Sequence, residues 1–109
     1  MPDPEFRAYN GIRTSWLPIK IDSEPQAVNI GDAKILLVTE GPESSKTLNV
    51  YYEVDSNSYG YFSNREMIFH VVGVAERVPE GTSHVGSVLL RDGNVFHIYR
   101  EVQERKSNV

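Results

Sequence analysis

The strongest fold signal in this sequence is residues 84–102, HVGSVLLRDGNVFHIYREV. Two segments rich in β-branched and aromatic residues flank Asp92-Gly93, the dipeptide that best suits a two-residue type I′ turn. In the second segment Phe96, Ile98 and Val102 face one way, and Val95, His97 and Tyr99 face the other, as successive side chains of a strand do. The pattern predicts a C-terminal β-hairpin with a type I′ turn.

The rest of the chain repeats this pattern of short apolar segments between turns. Gly31-Asp32 and Gly41-Pro42 are strong turn signals, and residues 47–55 alternate cleanly between polar and apolar side chains. We expect that segment to pair with the preceding strand as a second hairpin. Strands are predicted at residues 13–21, 26–30, 33–39, 47–55, 66–74, 84–91 and 94–102. The predicted fold class is mainly β, a small antiparallel sandwich or partly open barrel of about six or seven strands.

Two of these segments carry apolar side chains on both faces of the predicted strand. Residues 33–39 (AKILLVT) and 66–74 (EMIFHVVGV) are nearly continuous apolar runs, which predict strands that are covered on both faces. A small sandwich buries one face of each strand, so the surplus needs cover from the Trp16 segment and the N-terminal arm, or from another subunit. We therefore expect a homo-oligomer. Pro18 lacks an N–H, so the first strand is expected at a sheet edge.

A chain of 109 residues has room for one domain. We expect a β domain over residues 13–102 and a polar tail over residues 103–109. Residues 1–12 are expected to be a flexible arm, of which residues 1–6 could be encoded by cloning sites. The net charge of −4 argues against a phosphate-backbone binder. The absence of cysteine excludes disulfides and thiolate metal sites, and no apolar run approaches the ~20 residues that span a bilayer.

A series of strand and turn motifs covers roughly residues 15–101. The motifs are Trp16-x-Pro18, Gln26-x-Val28-x-Ile30, Ala33-Lys34-Ile35-Leu36, Phe69-x-Val71-x-Gly73, Val78-Pro79, His84-Val85-Gly86-Ser87-Val88 and Val95-Phe96-His97-Ile98-Tyr99. With them the chain resembles a family of small proteins of unknown function encoded by bacteriophages and prophages, many from actinobacterial hosts. The resemblance implies a phage accessory protein in the host cytoplasm and supplies no reaction. Residues 73–76 (GVAE) depart from the Gly-Thr-Gly-His that relatives often carry, which puts a site at that loop in doubt.

Three histidines, His70, His84 and His97, lie in or beside predicted strands. Imidazoles act as metal ligands or general bases where they converge with suitable partners. Their spacing shows no convergence, and no cysteine or His-x-His pair supports a metal site. We expect strand histidines with satisfied hydrogen bonds, no metal and no cofactor. His97 is the most interesting of the three because it alternates with Val95 and Tyr99 on a semi-polar face.

Two sets of side chains resemble catalytic groups. Ser87, His97 and Glu101 could be brought together on the final hairpin, but the sequence has no Gly-x-Ser-x-Gly nucleophile turn. Glu53 and Asp55 share one strand face, which is also typical of a solvated strand. We therefore predict that the protein is not an enzyme and has no catalytic residues.

Residues 59–65, YGYFSNR, have the composition of an adaptable recognition surface. Tyrosine and arginine bury area while keeping a polar tip, so they often dominate binding energy. Alternatively, these aromatics fold back to cap one end of the barrel. Base stacking by the tyrosines is a third interpretation, which the acidic charge disfavours. The candidate binding residues are Tyr59, Tyr61, Phe62, Asn64, Arg65, His97 and Tyr99.

Together with the phage protein that the resemblance implies, these observations predict an accessory protein that acts by binding a host protein and modulating it. An alternative is an oligomeric sponge that sequesters a nucleotide signal of host defence in a pocket lined by aromatics and arginine. A second alternative is a minor structural virion protein. Neither nucleic acid nor a membrane is expected as a partner.

Overall fold

The computed structural model describes residues 11–55 and 65–104, and this part of the chain consists of β-strands joined by turns, with no helix. The strands are β1 (Ile12–Lys20), β2 (Gln26–Val28), β3 (Lys34–Glu40), β4 (Thr47–Asp55), β5 (Arg65–Gly73), β6 (Ser83–Leu89) and β7 (Val95–Glu104). They form two antiparallel sheets, a three-stranded sheet in the order β1-β4-β3 and a four-stranded sheet in the order β2-β5-β7-β6. The predicted mainly β, antiparallel fold is confirmed, and of the two predicted architectures the structure is an open sandwich.

The strand pairing follows the turns that the sequence marks. The predicted hairpins β3–β4 and β6–β7 are both present. β1 lies at a sheet edge, so the missing backbone N–H of Pro18 costs no hydrogen bond to a further strand. In the last hairpin Gly93 has a φ of 91°. Two backbone hydrogen bonds close the connection, from Leu90 N–H to the Asn94 carbonyl at 2.8 Å and from Gly93 N–H to the Leu90 carbonyl at 3.0 Å. The type of the turn stays a prediction.

The core lies between the facing sides of the two sheets. Leu48 and Val50 come from the three-stranded sheet, while Met67, Phe69 and Ile98 come from the four-stranded sheet, and all five are fully buried. This confirms the alternation predicted for residues 47–55. Burying each such side chain stabilises the fold by about 1.5–3 kcal/mol before conformational entropy is counted.

The two sheets approach each other closely where β3 lies against β6. A Cβ atom at Gly86 would lie 2.9 Å from Cγ2 of Val38, so the absence of a side chain at Gly86 permits this approach. The final hairpin is also fastened to the end of β3, because the backbone N–H of Arg91 donates to Oε1 of Glu40 at 2.6 Å. The Arg91 guanidinium lies 3.4 Å from the other oxygen of the same carboxylate.

Each of these two strands contains a β-bulge, in β3 between Ile35 and Leu37 and in β6 between His84 and Gly86. A bulge places one extra residue opposite a regular partner strand and thereby changes which later side chains face the core. In β3 the result is that Leu36 and Leu37 are 44% and 56% exposed. Within one chain, residues 33–39 are therefore not covered on both faces, and cover by another subunit stays a prediction.

The corresponding prediction for residues 66–74 holds in the middle of β5, where residues 69–72 are all buried. β5 has a hydrogen-bonded neighbour on each side, whereas β3 is the last strand of its sheet. Some strand limits differ from those predicted: β2 ends at Val28, and β7 continues to Glu104, two residues into the predicted tail. The arm at residues 1–10 and the loop at residues 56–64 lie outside the described residues.

Candidate functional site

An apolar row crosses the outer face of the three-stranded sheet. Trp16 on β1 and Leu37 on β3 are both register partners of Tyr51 on the central strand β4. Trp16 is 55% exposed and Leu37 56% exposed, while Tyr51 between them is half-buried. Leu36, the extra residue of the β3 bulge, adds to the same surface. We call Trp16, Leu36, Leu37 and Tyr51 the outer apolar row.

Mostly polar residues border the outer apolar row on both sides. The register places Thr14, Glu53 and Lys34 in one flanking row, and Pro18, Asn49 and Thr39 in the other. A shallow depression of about 480 Å³ follows the row and is lined by Thr14, Ser15, Trp16, Leu36, Leu37 and Tyr51. An apolar centre with a polar rim is the usual anatomy of a protein–protein interface.

Trp16 lies on the face of β1 opposite to Leu17 and Ile19, which pack towards the core. The sequence predicts the Trp16 segment as one cover for surplus apolar surface. Instead, Trp16 is aligned with Leu37 and extends the exposed surface. Leu37 was missed because every residue from Ile35 to Val38 is apolar, so only the register of β3 against β4 shows which of them faces outward.

A polar cluster lies on the β6–β7 hairpin, on the face of β7 opposite to the buried Ile98. Two of the predicted binding residues, His97 and Tyr99, belong to it. Ser87 Oγ lies 2.8 Å from Nε2 of His84 and 2.7 Å from Nδ1 of His97. The His84 ring packs edge-on against Tyr99 with ring centres 5.3 Å apart. The hydroxyl can donate to one imidazole nitrogen and accept an N–H from the other, so both contacts are satisfied at once.

The set Ser87, His97 and Glu101 considered from the sequence is only partly assembled. Ser87 and His97 are hydrogen-bonded, but the Glu101 carboxylate accepts a hydrogen bond from Nε2 of His70 at 2.9 Å. All three histidines thus have hydrogen-bond partners, as predicted. Within residues 11–55 and 65–104, no group of three or more histidine, aspartate or glutamate side chains is arranged to hold a metal ion.

The His70–Glu101 pair links β5 to β7 and affects the ionisation of the carboxylate. His70 is buried, and the Glu101 side chain is partly exposed. The hydrogen bond from His70, followed by one from Gln103 at 3.0 Å, lowers the pKa of Glu101 below its ordinary value. The pair therefore favours a charged carboxylate in the folded state.

This lowered pKa makes part of the stability dependent on pH. The folded state binds the Glu101 proton less readily than the unfolded state, so the contribution is present above the ordinary pKa of about 4.3 and is lost as pH falls through the lower folded pKa. We expect the difference in unfolding free energy between wild type and Glu101→Gln to shrink as pH falls below about pH 5. Urea unfolding at a series of pH values measures this difference, and a constant difference down to acid pH would contradict the assignment.

The predicted binding residues do not form one site in the described part of the chain. Arg65 begins β5, and its guanidinium lies 3.6 Å from the Asp32 carboxylate, with both side chains well exposed. His97 pairs with Val72, seven residues further along β5, which corresponds to roughly 23 Å of strand. Tyr59, Tyr61, Phe62 and Asn64 lie outside the described residues, so their role stays a prediction.

Comparison with known protein families finds one family whose model matches the whole sandwich. The domain of unknown function DUF7352 matches residues 12–109, which include all seven strands. The chain belongs to this family. Neither a curated protein nor a solved structure matches this DUF7352 chain. The DUF7352 match carries no information on source, so the phage resemblance stays a prediction. In the described part of the chain no helix is long and apolar enough to cross a membrane.

Proposed function

We propose that this DUF7352 chain is a phage accessory protein that acts by binding a host protein and modulating it, without catalysing a reaction. The outer apolar row is the observation that carries the binding role. The phage origin is supported by the strand and turn motifs quoted from the sequence. The host protein is proposed as the partner because an accessory protein of this kind acts inside the infected cell.

The outer apolar row has the composition of a binding hot spot. Tryptophan and tyrosine are enriched among residues whose truncation costs the most binding energy, and they cluster at the centres of interfaces. In this chain they stand side by side on β1 and β4, held in place by cross-strand pairing rather than on a loop. A preformed surface loses little conformational entropy when it binds, which favours affinity.

The small size of this surface favours a partner that binds and dissociates over a permanent subunit. The interfaces of permanent dimers commonly bury a total of roughly 2,000 Å² or more and are mostly apolar. Here the apolar centre consists of four side chains, and the flanking rows contain Lys34, Glu53 and Asn49. Such a surface is typical of a transient complex. A homo-oligomer formed through the same face stays a prediction that the following experiment tests.

The test is capture from a host lysate, followed by a binding measurement with the purified captured protein. We expect Trp16→Ala to weaken that binding by roughly 30-fold or more, the equivalent of losing about 2 kcal/mol at a hot spot. The matched control is Lys20→Ala, because Lys20 is exposed on the same strand and face but lies outside the outer apolar row. We expect this control to bind like the wild type.

Two other outcomes would overturn the assignment of the surface. If replacing Tyr59, Tyr61 and Arg65 with alanine abolishes binding while Trp16→Ala does not, the site is at residues 59–65. If the wild type is a dimer by light scattering, Trp16→Ala makes it monomeric and no host protein binds, the face joins two copies of this chain. Cyclic nucleotides that raise the melting temperature would instead support the sponge alternative.

A further inference from the structure

The bulge in β6 brings two imidazole nitrogens within hydrogen-bond distance of one hydroxyl, Ser87 Oγ, on the surface of the final hairpin. Residues three apart in a regular strand face opposite ways, but the bulge places both His84 and Ser87 on the outer face, opposite Tyr99 and His97 respectively. Nε2 of His84 and Nδ1 of His97 then lie 2.8 Å and 2.7 Å from the same atom, Ser87 Oγ. The ring centres of the two histidines are 5.9 Å apart.

From this convergence we infer that His84 and His97 form a two-imidazole site for a divalent transition-metal ion of the Cu²⁺, Ni²⁺ or Zn²⁺ class. Neutral imidazole nitrogen is a preferred ligand of these ions, with metal–nitrogen distances of about 2.0–2.1 Å for Zn²⁺. An ion near the point now held by the serine hydroxyl requires each nitrogen to move inward by about 0.7 Å. This is a small side-chain adjustment, and Ser87 can turn its hydroxyl aside because Ser87 is exposed.

The surroundings of the two rings support His84 and His97, rather than His70, as the metal ligands. His84 is exposed and His97 is half-buried, so solvent can complete the coordination shell of an ion held by two protein ligands. Tyr99 packs edge-on against the His84 ring and restrains it on the side towards β7. By contrast, His70 is buried, and its Nε2 is occupied by Glu101. The site is independent of the outer apolar row, which lies on the other sheet.

The chemistry of the ligands sets the expected selectivity. Two imidazoles without a carboxylate favour Cu²⁺ over Ni²⁺, and both over Mg²⁺ and Ca²⁺, which require oxygen ligands. Because the ligands come from β6 and β7, an ion that binds only the folded chain also stabilises this hairpin. The melting temperature should therefore rise with Cu²⁺ or Zn²⁺ and remain unchanged with Mg²⁺.

The experiment is calorimetric titration of the full chain, prepared without a histidine tag, with Cu²⁺ and with Zn²⁺. We expect one ion per chain, loss of this binding in His84→Ala and in His97→Ala, and retention in the control His70→Gln. In the wild type, Zn²⁺ should shift the imidazole NMR signals of His84 and His97 and leave those of His70 in place. Absence of binding by both ions, binding that survives both alanine variants, or shifts confined to His70 would overturn the proposal.

Discussion

Phe69→Ala is expected to lower the free energy of unfolding by about 3–5 kcal/mol, the range for removing a large aromatic side chain from a core. Phe69 is fully buried on β5, an internal strand of the four-stranded sheet, and it faces the other sheet. Since domains of this kind are stable by only ~5–15 kcal/mol, the variant should lose a large part of its stability. Urea unfolding followed by circular dichroism measures the change.

The control for this prediction is Val74→Ala, just past the end of the same strand. Val74 is 72% exposed, so its truncation should change the unfolding free energy by less than about 0.5 kcal/mol. A loss below about 1 kcal/mol for Phe69→Ala would contradict the location of the core between the two sheets. Equal losses for both variants would contradict it as well.

Leu37→Glu is expected to abolish partner binding while leaving the fold intact. The substitution places a charge at the centre of the outer apolar row, and a charge buried against an apolar partner without a counter-ion is strongly unfavourable. The side chain already points into solvent, so the unfolding free energy should change by less than about 1 kcal/mol. Binding to the captured host protein and urea unfolding are measured on the same preparation.

The chain offers a close control for this charge substitution. Leu89 is also an exposed strand leucine, 69% accessible, but it lies on β6 of the four-stranded sheet. Leu89→Glu introduces the same charge and should leave partner binding unchanged. Loss of binding in both variants would indicate an effect of net charge, and loss in Leu89→Glu alone would move the interface to the hairpin.

The fold could be predicted from sequence because strands and turns are encoded locally. The alternation in residues 47–55 and the Asp92-Gly93 turn each identify a strand or hairpin without knowledge of the rest of the chain. The buried side of β4 follows from its alternation alone, and Pro18 correctly indicated an edge strand. These features depend on two to nine consecutive residues, roughly the length of one strand.

The two candidate surfaces could not be predicted because each depends on a bulge. In the run from Ile35 to Val38 all side chains are apolar, so polarity does not reveal that the bulge turns Leu37 outward. His84 and Ser87 are three residues apart, which places them on opposite faces of any regular strand. The imidazoles of His84 and His97 converge because of the register shift in β6, which the sequence did not indicate.

The two bulges also link the outer apolar row and the histidine cluster to the contact between the two sheets. Gly86, next to the β6 bulge, packs against Val38, next to the β3 bulge, where β3 and β6 approach each other. The same irregularities that let β3 and β6 approach each other also turn Leu37 and Ser87 outward on opposite sides of the sandwich. The candidate surfaces are therefore consequences of how the two sheets join.

Trp16 allows the most direct measurement of the proposed binding surface, because it is the single tryptophan of the chain. Labelling with 5-fluorotryptophan gives one fluorine NMR signal, which reports on a side chain that is 55% exposed in the free protein. Addition of the captured host protein is expected to shift and broaden this signal in proportion to the fraction bound. A signal that stays unchanged at saturating partner would contradict the assignment of the outer face of the β1-β4-β3 sheet as the binding surface.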